Sequence, residues 1–211
     1  MSRPNSSRGA RASQRGQALV EFTVIIPVFL LLLTGMLEFG LAFSDRLTMG
    51  NATREGARIG GALATGSSTA CSGDPAGVDK TIIASLENIL KSGGSDVDLK
   101  YINSIKIFKA TTSGAQIGSY VNVWTYTPGA GPDADPGTGT EILDFSPSST
   151  GWAACTRNNG AASPDSIGVT IDYQYQLKTP LAAVIGIVTG TPGSTTIHMV
   201  DTTVMALNPT S

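Results

Sequence analysis

Charge is scarce in this chain: Asp, Glu, Lys and Arg make up 14% of 211 residues, against roughly 25% in an average soluble domain. Aromatic residues reach only 6%, and there are two cysteines and one histidine. A net charge of −2 excludes a generally basic nucleic-acid binder. One histidine and two cysteines exclude a Cys/His metal cluster, and neither a Gly-x-Ser-x-Gly elbow nor a Gly-x-x-x-x-Gly-Lys phosphate loop occurs. Nothing therefore recommends catalysis, a cofactor or a metal, and His198, alone on its strand, reads as structural or exposed.

What is present is unevenly placed. Arg3, Arg8, Arg11 and Arg15 give residues 1–16 a charge of +4 with no acid, leaving ten basic against sixteen acidic residues beyond them. Phe22 to Leu37 then runs for 16 residues without charge, and Phe22 to Phe43 supplies 22 residues interrupted only by Glu38. About 20 mainly apolar residues cross a bilayer core as a helix. A basic flank stays on the cytoplasmic side, which puts the remainder of the chain outside. The expectation is a single span with its N-terminus in and its C-terminal domain extracytoplasmic, at the cytoplasmic membrane.

A secretory signal peptide is a competing reading, with Gly40-Leu41-Ala42 as a small-x-small cleavage site before Phe43. Against it, the apolar run exceeds the usual h-region and carries Glu38 beside the cut. Attention falls instead on Arg15-Gly16-Gln17-Ala18-Leu19-Val20-Glu21-Phe22. A carboxylate where a helix enters hydrocarbon is costly and commonly functional. The plainer reading is that Glu21 complements the positive end of the helix dipole, which leaves Gly16 and the basic leader unexplained.

This run, with Pro27, Glu38-Phe39-Gly40 and Asn51-Ala52-Thr53-Arg54-Glu55-Gly56-Ala57-Arg58, resembles a type IV prepilin leader and, more closely, the TadE-like family of pseudopilins from tight-adherence pilus systems. The detailed resemblance covers about 45 residues at the N-terminus; the remainder matches in outline. It implies cleavage between Gly16 and Gln17 by a membrane prepilin peptidase. Removing 16 of 211 residues leaves a mature chain of 195, in which Glu21 is the fifth residue. It also implies other pilins and the pilus assembly platform as partners, beside membrane lipid. Glu21, with Phe22 next to it, would then pair with the new amine of Gln17 on a neighbouring subunit and fix the register between packed helices. Pro27 removes one helical hydrogen bond and predicts a kink near Thr23.

The helix is expected to continue to Ile59, about 64 Å from Gln17 at 1.5 Å per residue, and to stop at Gly60-Gly61. Gly56 and Gly60 either let another backbone approach or, as the preferred reading, only weaken the helix end. Arg54 and Arg58, one turn apart, form a solvated face or meet phosphates or acidic partners. Residues 61–75, rich in Gly, Ser and Thr, read as a linker into an extracytoplasmic domain at 76–211.

In that domain Val78 to Leu90 has helical spacing. Val97, Leu99, Tyr101, Ile105 and Ile107 alternate with polar residues as in a half-buried strand. Ile117–Tyr126, Ile167–Leu177 and Thr195–Leu207 read as further strands, and Pro128–Pro164 as irregular. The fold class is thus α+β: a long N-terminal transmembrane helix, then a pilin-like head with a short helix and a three- to four-stranded, mostly antiparallel sheet. Cys71 and Cys155 are an even count in an exported domain and point to one disulfide, two buried thiols being the alternative. Asp133, Asp135, Glu141 and Asp144 miss the EF-hand spacing, so a solvated acidic loop is expected there. The run Leu181 to Val188 is too short to span; it packs under the sheet or touches the membrane surface. The sequence therefore leads to a minor pilin or pseudopilin, with an anchored or secreted binding domain as the alternative.

Overall fold

The computed structural model describes residues 8–63, 77–92, 97–134, 141–183, 190 and 196–208. The chain divides into two units, Met1–Gly40 with Leu177–Thr195, and Leu41–Gln176 with Thr196–Ser211. One helix, α1 (Arg8–Leu63), contributes to both. Then follow α2 (Gly77–Leu90), a 3₁₀ turn (Leu99–Tyr101), β1 (Ile102–Ala110), β2 (Gln116–Tyr126), β3 (Phe145–Thr150), a second 3₁₀ turn (Ala154–Thr156), β4 (Ser166–Gln176) and β5 (Thr196–Ala206). The fold is α+β, with every strand pair antiparallel and the order β3-β2-β1-β4-β5.

The core of the second unit follows the expected periodicities. Ile167, Val169, Ile171, Tyr173 and Tyr175 alternate along β4 and are all buried, beside Ile105 and Ile107 of β1 and Trp124 of β2. In α2, Ile82, Ile83, Leu86 and Leu90 fall at helical spacing and are buried. Truncating any of these to alanine removes buried methylenes and leaves a cavity, a cost of about 2–5 kcal/mol.

Four expectations are corrected. Helix α1 does not stop at Gly60-Gly61 but runs to Leu63. Its glycines are points of close approach: a Cβ at Gly56 would stand 3.0 Å from Leu86 Cδ2, and one at Gly60 would stand 2.7 Å from Ile167 Cδ1 and 2.9 Å from Ile82 Cδ1. The missing side chains let α2 and β4 press against the helix, so the preferred reading of glycine as a mere weakener fails.

The stretch Val97–Tyr101 is not strand. Asp98 caps the 3₁₀ turn by accepting the Lys100 N–H at 3.2 Å, a local side-chain bond that competes with sheet pairing. The ladder begins only at Ile102.

The region taken as irregular holds β3, which makes the sheet five-stranded instead of three- or four-stranded. Its sequence, Phe-Ser-Pro-Ser-Ser-Thr, lacks apolar alternation. It is an edge strand, where Pro147 is tolerated, and the pairing with β2 shifts register between Val123 and Trp124. In the acidic stretch Asp144 pairs with Lys91 at 2.8 Å, the Asp133 backbone bridges Ile142, Glu141 is exposed, and Asp135 lies outside the described residues.

Candidate membrane and assembly segment

Along the first part of α1 the apolar side chains face outward. Leu19, Val20, Phe22, Val24, Ile25, Val28 and Phe29 are each more than half exposed, and Met36 and Phe39 reach 71% and 75%. Water-soluble monomers rarely expose contiguous apolar patches beyond a few hundred Å². A helix satisfies its own backbone and can present such a surface to hydrocarbon. The polar residues in this part are also provided for. Thr23 donates to the Leu19 carbonyl at 2.7 Å, and Thr34 reaches the carbonyls of Leu30 and Leu31 at 3.0 Å. Residues 17–63 contain the one helix among the described residues that is long and apolar enough to cross a membrane.

The cleavage, register and kink residues singled out from the sequence all lie on this helix. Gly16 and Gln17 sit within it without a break, and the Gln17 side-chain amide donates to Glu21 Oε1 at 3.2 Å, one turn on. Phe22, beside Glu21, is 63% exposed. Pro27 is inside the helix, which continues through it; having no N–H, it leaves the Thr23 carbonyl without its usual i+4 donor.

In the sequence Glu38 interrupts the apolar run and opens the Glu38-Phe39-Gly40 part of the resemblance. Its side chain is in fact 96% removed from solvent, and its carboxylate accepts the backbone N–H groups of Lys178 at 2.9 Å and Thr179 at 2.8 Å. The local sequence Thr179-Pro180 opens a helical turn at Leu181–Ala183, with Thr179 Oγ1 accepting the Leu181 N–H at 3.3 Å. Leu181 shares a groove of about 450 Å³ with Leu31, Leu32, Gly35, Met36 and Phe39. The described start of the Leu181–Val188 run thus lies against the apolar helix; residues 184–188 lie outside the described residues.

Other polar contacts belong to the second unit. Asp45 is buried and accepts the Tyr173 hydroxyl at 3.2 Å. Burial, with Asp45 opposite, pushes the Tyr173 phenol up from its ordinary range. Thr53 donates to Asp201 Oδ2 at 2.5 Å and lies 3.0 Å from the Thr203 hydroxyl. Arg58 pairs with Glu55 at 2.8 Å, the solvated-face reading. His198 meets Asp172 at 2.9 Å and is exposed.

Sequence reasoning missed a buried polar cluster. Arg157, fully buried, reaches Asp79 Oδ1 at 2.6 Å and lies over the Trp152 ring at 4.6 Å. Asn122 donates to Asp79 Oδ2 at 2.5 Å and accepts the Trp152 N–H at 2.7 Å. The cluster ties α2 and β2 to the turn that carries Cys155; Cys71 lies outside the described residues. Its one sequence signal is an acid in the first turn of α2. Among the described residues, no group of three or more His, Cys, Asp or Glu could hold a metal ion.

Residues 16–58 match the family described as TadE-like protein. The match begins at Gly16 and takes in Gln17, Glu21, Phe22, Pro27, Glu38 and the Asn51–Arg58 run, the stretch on which the resemblance rests. The family is a component of pilus systems and not a known enzyme family. No curated protein and no solved structure matches the chain.

Proposed function

We propose that the chain is a minor pilin or pseudopilin, held in the cytoplasmic membrane by α1 and acting in assembly of a tight-adherence type pilus that serves adhesion or secretion. The observation that carries this reading is the TadE-like match, laid over the outward-facing apolar part of α1. A prepilin peptidase cuts between Gly16 and Gln17 on the cytoplasmic side, and the remainder of the chain is extracytoplasmic. Cleavage leaves an α-amine on Gln17, and the carboxylate of Glu21, with Phe22 packed beside it, pairs with that amine on a neighbouring pilin. An unpaired carboxylate is penalised strongly in low dielectric, so the pairing sets axial register. Pro27 bends the helix where the Thr23 carbonyl has lost its partner. Cys71 and Cys155 close one disulfide in the exported domain. Neither nucleic acid nor a catalytic activity of the chain itself enters this scheme.

N-terminal sequencing of the membrane-fraction protein tests the processing step. Gln17 as first residue is the expected result; Phe43 as first residue, or an intact leader, overturns it. Glu21→Ala is expected to leave cleavage and membrane insertion intact while abolishing entry into pilus complexes. Co-purification of the variant with other pilins at the wild-type level would remove the register role.

A further inference from the structure

From the Glu38 contacts we infer that the chain meets the bilayer twice: the turn at Lys178–Ala183 is a second membrane element, seated in the outer leaflet beside α1 and latched there by Glu38. The inference rests on the reading of α1 as a membrane span. With Phe22–Phe43 taken as the span, Leu31 and Phe39 stand about 18 and 6 Å inside its outer end at 1.5 Å per residue. Leu181 shares its groove with these same residues, so it sits at hydrocarbon depth.

At that depth two things are costly, a bare carboxylate and unpaired backbone N–H groups. Here each resolves the other. The Glu38 oxygens take the amides of Lys178 and Thr179, which open the turn, and the Ala182 and Ala183 amides bond back to Thr179 and Pro180 at 3.3 and 3.0 Å. The sequence continues the theme: Leu181 to Val188 is an uninterrupted apolar stretch, and Lys178 is the sole charge in residues 177–195. A lysine at the head of such a stretch can lay its methylenes along acyl chains and keep its ammonium at the headgroups. The occupant of the groove's open side is therefore lipid acyl chain. Met36 and Phe39, the most exposed large apolar side chains among the described residues of α1, continue that surface.

The test places a tryptophan reporter in the full-length chain, reconstituted in phosphatidylcholine vesicles with or without bromine on the acyl chains. The unsubstituted chain supplies the background from Trp124 and Trp152. Phe29→Trp reports the span, and Leu181→Trp reports the turn, with the exposed Ala183→Trp as a second probe should Leu181→Trp disturb folding. The expected result is bromine quenching at both the span and the turn, and loss of quenching at the turn alone when Glu38→Ala is added. Quenching at Phe29→Trp with none at either turn probe overturns the second membrane element while leaving the span. No quenching at Phe29→Trp overturns the span and the inference with it. Quenching at the turn that survives Glu38→Ala overturns the latch.

Discussion

Between Gln17 and Gly40, α1 turns Leu19, Phe22, Ile25, Phe29 and Met36 outward; between Leu41 and Leu63 it buries Ala42, Met49, Ala52, Thr53 and Ala57. The first part is built mainly of large apolar residues, most of them exposed; the second buries mainly small residues, over which protein closes. The contrast shows two ways of satisfying one helix. The outward part relies on its surroundings being hydrocarbon, where large side chains carry the transfer energy. In the second part, small residues admit α2 and the sheet, and stability comes from packing at close range. The acids differ in the same sense: Glu38 accepts backbone amides and Asp45 a tyrosine hydroxyl.

If the two parts are this independent, damage to one should leave the other standing. The largest effect is expected from Asp79→Ala, which strands the buried Arg157 guanidinium without its carboxylate. Breaking one side of a buried pair costs about 3–5 kcal/mol, enough to lower the thermal midpoint of the second unit sharply. Membrane retention of the same variant should be unchanged. Parallel loss of retention and thermal stability would break the comparison. A smaller effect is expected from Ala57→Leu, where extra methylenes in a closed core cost about 1–3 kcal/mol. The same enlargement at Ala18, which is exposed, should leave the midpoint where it is. Thermal unfolding in detergent reads both.

The outward part of α1 was legible in the sequence because its environment is declared locally, residue after residue. The β4 alternation and the α2 spacing were legible for a similar reason, since a period needs only neighbours. What escaped depends on partners far along the chain. Asp79 and Arg157 are separated by 78 positions, and neither carries a local sign of the other. Glu38 read as a flaw in a span because its partners at 178 and 179 lie 140 and 141 positions away. Strand β3 was hidden by a composition that only an edge position permits. The Gly60 contact with Ile167 could not be foreseen without knowing which strand comes over the helix.

The smallest effect sharpens the comparison at the surface of the second unit, where Lys91 lies 2.6 Å from Glu87 and 2.8 Å from Asp144. The Lys91 ammonium holds the Asp144 carboxyl below the usual range. Burial, by contrast, pushes Glu87 up despite the same lysine. The signs are therefore opposite. Asp144 contributes stability that is complete above its unfolded value of about 3.9 and is lost as pH falls through its folded value. Glu87 takes up its proton more readily folded than unfolded, so its ionisation weakens the fold as pH rises from about 4.3 through its folded value. Because the lysine is partly exposed, each contribution should stay within about 1 kcal/mol. Denaturant midpoints measured from about pH 6 down to about pH 2 should lose part of their acid fall in Asp144→Asn. In Glu87→Gln the acid fall should steepen, because the group whose protonation favours the fold is gone. Equal slopes in the two variants would mean that Lys91 and burial do not divide the two carboxylates in this way.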